Sequence, residues 1–161
     1  MKTLLLVRHA KSDWGDPRLA DHDRPLNDRG EKDAPAMGGR LAERGVELDL
    51  VVTSTALRAR TTAGLIAAAV GLPDDRVVED ERLYGASGGG ILAVASGLPD
   101  DVEVAAVVGH NPGMSDAVGE LTGTWTDLPT CAVATCRVDV DRWVELVERT
   151  GVLDRIDTPK D

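Results

Sequence analysis

Three short segments of the chain place arginine and histidine side chains directly after apolar runs that are typical of buried strands. The segments are Arg8-His9, Ser54 with Arg58 four residues later, and Gly109-His110. Arginine holds phosphate oxygens in bidentate fashion, and a neutral imidazole nitrogen can act as a nucleophile. Brought together, these side chains would bind a multiply charged anion such as a phosphoryl group.

The elements that must position these residues alternate between strand and helix, which predicts βαβ units and a mainly parallel sheet. Ligands of such sheets lie at the carboxyl ends of the strands, where helix N-termini also point. Four side chains from segments about 50 residues apart should therefore converge on one rim. The predicted strands are Leu4–Val7, Leu48–Thr53, Arg76–Glu79, Glu103–Val108, Cys131–Val138 and an edge strand in the tail. The predicted helices run from Asn27 or Asp28 to Arg44, from a Ser54 or Thr55 cap to Val70, over Ile91–Ser96 and from Pro112 to Leu121.

Composition supports a single domain over residues 1–161 with a core of aliphatic side chains. The 161 residues are 42% hydrophobic, yet the chain has three Trp, one Tyr and no Phe. A core of Ala, Val, Leu and Ile suits a parallel sheet covered by helices on both faces. We therefore expect a three-layer α/β/α fold, with a long polar loop from Ala10 to Leu26 whose length suggests a functional role.

The net charge of −10 argues against nucleic acid or an anionic membrane as partner, because both attract a surplus of Lys and Arg. No apolar stretch approaches the roughly 20 residues of a membrane span, and the N-terminal apolar run is shorter than that of a signal peptide. Cys131 and Cys136 fit no common zinc or redox spacing, so we expect free thiols in a reducing cytoplasm. The sequence has no metal-ligand cluster, and we expect a monomer.

Taken together, the motifs resemble those of the histidine phosphatase superfamily, which has the phosphoglycerate-mutase-like fold. Within it the chain is similar to the small SixA-type phosphohistidine phosphatases, and its brevity leaves no room for the helical lid insertions of larger relatives. The resemblance extends from Leu4 to about Pro159. The segments that carry it are Arg8-His9-Ala10-Lys11-Ser12, Asp21-His22-Asp23-Arg24-Pro25-Leu26-Asn27 with Arg29-Gly30, Ser54-Thr55-Ala56-Leu57-Arg58-Ala59-Arg60-Thr61 and Gly109-His110-Asn111-Pro112.

The resemblance implies a role for each residue of the predicted rim. His9 would be the nucleophile that carries a phosphohistidine intermediate, while its other ring nitrogen donates to a backbone carbonyl. Arg8 and Arg58 would hold the phosphoryl oxygens, and His110 would donate to one of them. Ser12 is a candidate for a further phosphate contact. No metal or cofactor is implied, because fixed cations neutralise the developing charge.

The segment after the third predicted strand departs from the pattern of relatives that cleave phosphate esters. Those relatives carry there a carboxylic acid that protonates the alkoxide leaving group, whereas by register this chain has Gly85 at that position. Glu81 is the nearest candidate for a general acid, although the sequence favours an exposed charge at a strand end for it; Asp13 is a weaker candidate. Imidazole leaves more readily than an alkoxide, so a missing acid favours a phosphoramidate substrate.

Three functions remain open from the sequence. The first is removal of phosphate from phosphohistidine on a signalling or phosphorelay protein. The second is a phosphatase for small phosphate esters, which would need a working acid, and the third is a non-catalytic phosphate-binding module. Further expectations concern five residues around the site. His22 is expected to anchor the long loop rather than act as a base, and Arg24 braces that loop or contacts a protein substrate. Arg60 is solvated or structural, and Lys11 and Trp14 border the pocket. The triple glycine at 88–90 is expected to be a flexible loop and lacks the Lys-Ser/Thr pair of a nucleotide cradle.

Overall fold

A twisted six-stranded sheet forms the centre of the computed structural model, which describes residues 1–160. The strands are β1 (Lys2–Arg8), β2 (Leu50–Thr53), β3 (Val77–Glu79), β4 (Val104–Gly109), β5 (Val133–Val138) and β6 (Gly151–Asp157). Their order in the sheet is β3-β2-β4-β1-β5-β6. The first four neighbours pair in parallel, and β5 and β6 add two antiparallel strands at one edge.

Four α-helices cover the two faces of this sheet. They are α1 (Asp28–Glu43), α2 (Leu57–Val70), α3 (Gly88–Ser96) and α4 (Gly113–Thr122). Strand β1 alternates between the two faces: Leu5 packs in the core that α1 and α2 complete, and Leu4 and Leu6 pack in the core that α3 and α4 complete. The predicted three-layer α/β/α fold is confirmed, because strands of period two send apolar side chains to both faces.

Two predictions about helix starts are wrong. The triple glycine is not a flexible loop but the first turn of α3, capped by the Ser87 hydroxyl, which accepts from the Gly90 amide at 3.1 Å. A Cβ at Gly88 would lie 3.0 Å from the Ala117 amide nitrogen of α4, so a larger residue there would push the two helices slightly apart. Helix α2 begins at Leu57, its N-cap residue is Ala56, and no side chain caps it.

The long helix α1 has the termini that the sequence predicts. The Asn27 side chain accepts from the Gly30 amide at 2.9 Å, and Gly45 follows the helix with a positive φ of 74°. Pro35 lies inside the helix without ending it. Because the Asn27 cap follows directly on residue 26, the start of α1 fixes the position at which the 10–26 loop ends.

The two cysteines are free and lie on opposite faces of the sheet, Cys131 in one core and Cys136 in the other. Burial raises the pKa of each thiol to about 12, so neither is a reactive thiolate. Within residues 1–160, no helix has the length and apolar content needed to cross a membrane.

Candidate active site

The pairing of β1 with β4 brings the two predicted histidines together. Arg8, the last residue of β1, pairs with Gly109, the last residue of β4, and both strands run in the same direction. His9 and His110 therefore leave neighbouring strands at the same edge, and the His9 amide donates to the Gly109 carbonyl at 3.0 Å. Their ring centroids lie 5.1 Å apart.

A pocket of about 260 Å³ opens at this edge. Arg58 reaches it from the first turn of α2, which follows β2, the other neighbour of β4. The structure thus brings all four predicted catalytic residues into one cavity. The residues that line it are Arg8, His9, Lys11, Ser12, Trp14, Asp21, Arg24, Arg58, His110, Asn111 and Thr130.

The ring of His9 has a defined tautomer. Its Nδ1 lies 2.7 Å from the Ala10 carbonyl oxygen, and because a carbonyl can only accept, Nδ1 carries the proton. The Ala10 amide is itself held by the Thr62 hydroxyl at 3.0 Å. Burial lowers the pKa of His9 to about 3, and the nearby charges of His110 and the two arginines act in the same direction. The Nε2 lone pair is therefore available to attack an electrophile.

His110 is held by a hydroxyl that the sequence interpretation had placed as a helix cap. Its Nε2 lies 2.7 Å from the Ser54 Oγ, and its Nδ1 lies 3.4 Å from Arg58 Nη2. A guanidinium can only donate, so in the neutral ring Nδ1 accepts and Nε2–H donates to Ser54. Burial, followed by the charge of Arg58, lowers the pKa of His110 to about 4.

The two arginines are fixed by backbone carbonyls. Arg8 donates from Nη1 to the Leu128 carbonyl at 2.9 Å, and its buried Nε has no hydrogen-bond partner in the structure. Arg58 donates from Nη1 to the Asp21 carbonyl at 2.7 Å and from Nη2 to the Asp21 carboxylate at 3.0 Å. Both guanidiniums are thus held rigidly beside the histidines, as an anion site requires.

Asp21 is a pocket residue that the sequence interpretation missed. Its carboxylate accepts from the Tyr84 hydroxyl at 2.6 Å, from Arg58 and from Arg24 at 2.9 Å. These hydrogen bonds, that of Tyr84 foremost, hold the pKa of Asp21 well below its usual range. Its position in the Asp21–Asn27 motif was the one sequence feature that could have indicated a role in the site. The local sequence does not indicate that this loop packs against α2.

Of the remaining candidate residues, Ser12 and Arg24 line the pocket, whereas Glu81 and Asp13 do not. Ser12 lines the pocket and accepts from Arg24 Nη2 at 2.5 Å, and the guanidinium of Arg24 stacks on the ring of Trp14, 3.2 Å from its centroid. Arg24 thus braces the loop, one of the two roles left open for it. Glu81 and Asp13 are exposed and are not among the residues that line the pocket.

His22 is not among the residues that line the pocket, and it attaches the loop to the segment before α2. Its Nε2 is 2.8 Å from the Thr55 hydroxyl, and its ring meets that of Tyr84 edge-on at 4.9 Å. These contacts match the expected anchoring role. Arg60, two residues beyond Arg58, is exposed and donates to the Thr55 carbonyl, as expected for a residue outside the site.

The lowered pKa values of His9 and His110 have a measurable consequence. A histidine with an ordinary pKa of 6.5 is almost fully protonated at pH 5, whereas one with a pKa near 3 is about 1% protonated. At pH 5 we expect the ¹⁵N shifts of His9 to be those of neutral imidazole, with the proton on Nδ1, and those of His110 to show about one tenth protonation. Titration of either ring with a midpoint above 6 would contradict this geometry, and His9→Ala supplies the assignment.

Comparison with known proteins places the chain in a family. A family model of the histidine phosphatase superfamily (branch 1) matches residues 4–91, and the chain belongs to this superfamily. An uncharacterized chloroplastic protein of Arabidopsis thaliana is 32% identical over 158 residues, covering 93% of this chain and 72% of that protein.

Within the superfamily, the chain is similar to SixA-type phosphohistidine phosphatases. A candidate SixA from Agrobacterium tumefaciens superimposes with a TM-score of 0.82 at 25% identity, over 98% of both chains. A second, from Nakamurella multipartitia, gives 0.79 at 27% identity over 99% of this chain and 97% of that one.

Relatives with mutase activity match a smaller part of the chain. The 2,3-bisphosphoglycerate-dependent phosphoglycerate mutase of Rhizobium etli is 43% identical over 74 residues, which are 45% of this chain and 35% of the mutase. The match thus spans about a third of the mutase's length.

Proposed function

We propose that this protein is a phosphatase that removes phosphate from phosphohistidine on another protein through a phosphohistidine intermediate of its own. The proposal rests on the protonation state of the carboxylate in the pocket. Within residues 1–160, Asp21 is the only carboxylate that lines the pocket, and it stays ionised because Tyr84, Arg58 and Arg24 all donate to it. An ionised carboxylate that already accepts three hydrogen bonds cannot give a proton to a leaving alkoxide.

The proposed reaction has two displacements at phosphorus. His9 Nε2 attacks, a new N–P bond forms, and the N–P bond of the substrate breaks as the imidazole leaves with a proton acquired from solvent. Water then attacks the phosphoryl group on His9, that N–P bond breaks, and inorganic phosphate departs. Alkoxide leaving groups are much more basic than imidazole, so they would need a protonated carboxyl group, which the described residues of the pocket lining do not offer.

The cationic residues of the pocket have proposed roles in both steps. Arg8 and Arg58 hold the equatorial phosphoryl oxygens and neutralise the charge of the transition state. The unpartnered Nε of Arg8 gains an acceptor when phosphate binds. Nδ1 of His110 donates to a phosphoryl oxygen. This contact uses the other tautomer of the neutral ring, in which Nδ1 carries the proton and Nε2 accepts from the Ser54 hydroxyl. Ser12 contributes a further contact from the pocket wall.

The deciding experiment compares leaving groups with EDTA present throughout. The substrates are a histidine-phosphorylated protein, p-nitrophenyl phosphate and glycerol phosphate. We expect turnover of phosphohistidine, weaker turnover of the aryl ester and at least about 100-fold slower turnover of the alkyl ester, the usual contribution of a general acid. Fast turnover of glycerol phosphate would favour an ester phosphatase instead. Phosphate binding without any turnover would favour a binding module, and dependence on added metal would remove the metal-independent mechanism.

Replacement of the remaining acid candidate gives a separate prediction. Glu81 is exposed at the start of a 3-10 helix over residues 81–83, so Glu81→Gln should leave the turnover of both p-nitrophenyl phosphate and glycerol phosphate within about twofold of the wild-type values. A fall by about 100-fold or more with glycerol phosphate, whose alkoxide leaving group needs a proton, would identify Glu81 as the general acid and support the ester phosphatase. Steady-state kcat with the aryl and alkyl esters is the measurement.

A further inference from the structure

A second cavity, of about 380 Å³, adjoins the catalytic pocket. Lys11 and Thr130 line both cavities, so the two lie side by side on the protein surface. Arg29 and Lys160 add two more cations to the second cavity, and within residues 1–160 no Asp or Glu lines it. We call this space the cationic cavity and define it by Lys11, Arg29, Thr130 and Lys160.

The charge of the cationic cavity contrasts with that of the whole chain. Acidic residues outnumber Lys and Arg by 28 to 18, so composition does not predict a concavity lined by three cations and by no carboxylate of residues 1–160. Clefts that carry one sign of charge concentrate field lines and attract ligands of the opposite sign. The cavity therefore extends the anion-attracting surface of the catalytic pocket in one direction.

Close backbone packing holds the α1 side of the cationic cavity. The Asn27 amide donates to the Lys11 carbonyl at 3.0 Å. A Cβ at Gly30 would lie 2.2 Å from the same oxygen, so only glycine allows α1 to approach the Lys11 backbone this closely. The backbone of Arg29, next to Gly30, is thereby held close to the backbone of Lys11.

The chain that follows β6 forms the opposite side of the cationic cavity. An ion cluster around the buried Asp157 holds this side in place. Asp157 is only 2% exposed and contacts Arg44 at 2.8 Å, Arg155 at 3.1 Å and Arg40 at 3.4 Å. Arg40 also donates to the Thr158 carbonyl at 2.7 Å. The segment that carries Lys160 is thus attached to α1 two residues earlier.

Among residues 1–160, the ion pair of Arg29 offers only weak competition to an anion in the cavity. Arg29 makes one exposed ion pair, with Asp33 at 3.5 Å, and such pairs contribute little because water screens them. A carboxylate bound between Arg29 and Lys160 would gain charge-assisted hydrogen bonds from both.

We propose that the cationic cavity binds an acidic side chain of the phosphohistidine protein while its phosphohistidine occupies the catalytic pocket. This inference rests on the proposed function and adds to it a preference among substrates. The preferred substrate carries Asp or Glu close to the phosphorylated histidine, and the cavity selects it before any chemistry occurs.

Paired peptides test the preference. Phosphohistidine peptides with Glu at each flanking position are compared with the same peptides carrying Gln. We expect the best Glu peptide to have a kcat/KM about three- to tenfold higher at low salt, with the gain in KM and lost at high ionic strength. Arg29→Gln and Lys160→Gln should remove this gain, whereas Lys32→Gln, the same kind of change at an exposed residue of α1 outside the cavity, should keep it. Equal kcat/KM values for Glu and Gln peptides in the wild type would overturn the inference.

A binding measurement separates this inference from the proposed function. Titration of the wild type with inorganic phosphate, followed by amide NMR shifts, should perturb His9 and His110 as one set and Arg29 and Lys160 as a second. The double variant Arg29→Gln/Lys160→Gln should lose the second set and keep the first. Shift changes at Arg29 and Lys160 in a protein that does not turn over phosphohistidine would support the anion site and contradict the proposed function. If phosphate does not change the shifts of Arg29 and Lys160, the proposed anion site is wrong.

Discussion

His9→Ala should lower kcat on phosphohistidine protein by at least about 10⁴-fold, because the variant has no atom that can accept the phosphoryl group. The wild-type ring is prepared for this role by its geometry. Its Nδ1 donates to the Ala10 carbonyl at 2.7 Å, and burial lowers its pKa to about 3, so Nε2 is unprotonated at every physiological pH. Rapid-quench assays with ³²P-labelled substrate measure the loss directly.

The trapped intermediate gives the second readout of this prediction. Wild-type protein quenched in alkali should retain label that acid releases, as expected of a phosphoramidate, and His9→Ala should retain none. His22→Ala is the matched control, since it removes a histidine near the pocket that is not among its lining residues, and it should still form the intermediate. Labelling of His9→Ala at the wild-type level would show that another group is the nucleophile.

Arg58→Gln should lower kcat/KM by about 10²- to 10³-fold, the usual cost of removing one preorganised donor to a developing charge. Arg58 is buried, and both of its terminal nitrogens are held by Asp21. Arg58→Lys should recover part of the loss, because an ammonium keeps the charge but cannot bind two oxygens in the same plane. Steady-state kinetics of both variants on phosphohistidine protein is the test.

Arg60→Gln is the control for this second prediction. Arg60 is on the same helix, is exposed, and its side chain donates to the Thr55 carbonyl, so its replacement should leave kcat/KM within about twofold of wild type. Because Arg58→Gln also removes a partner of Asp21, thermal unfolding of all three variants accompanies the kinetics. A folded Arg58→Gln with wild-type kcat/KM would exclude Arg58 from phosphate binding.

The layered fold and the four-residue rim could be predicted from the sequence because both depend on local patterns. Apolar runs with β-branched residues mark strands, Asn27 and Gly45 mark the ends of α1, and the carboxyl ends of parallel strands share one edge of a sheet. Once the strands are placed, Arg8-His9 and Gly109-His110 must lie at that edge. No long-range contact needs to be known for this step.

Local patterns failed where packing between elements decides the outcome. Three consecutive glycines have low helix propensity, yet residues 88–90 form the first turn of α3, which the Ser87 side chain caps and in which Gly88 packs closely against α4. Ser54 has the residue type of an N-cap, but its hydroxyl bonds His110, 56 residues away, and α2 begins three residues later.

Only the tertiary structure decided which carboxylate stands in the pocket and how the cations extend beyond it. Asp21 meets Arg58 across 37 residues and Tyr84 across 63, and the cationic cavity joins Lys11 and Arg29 to the far end of the chain at Lys160. Such contacts depend on how the 10–26 loop and the chain after β6 pack against α1 and α2, which no periodicity or spacing encodes. The residues able to do chemistry are thus determined by the sequence, whereas their protonation, their partners and the reach of the site toward a substrate are determined by packing.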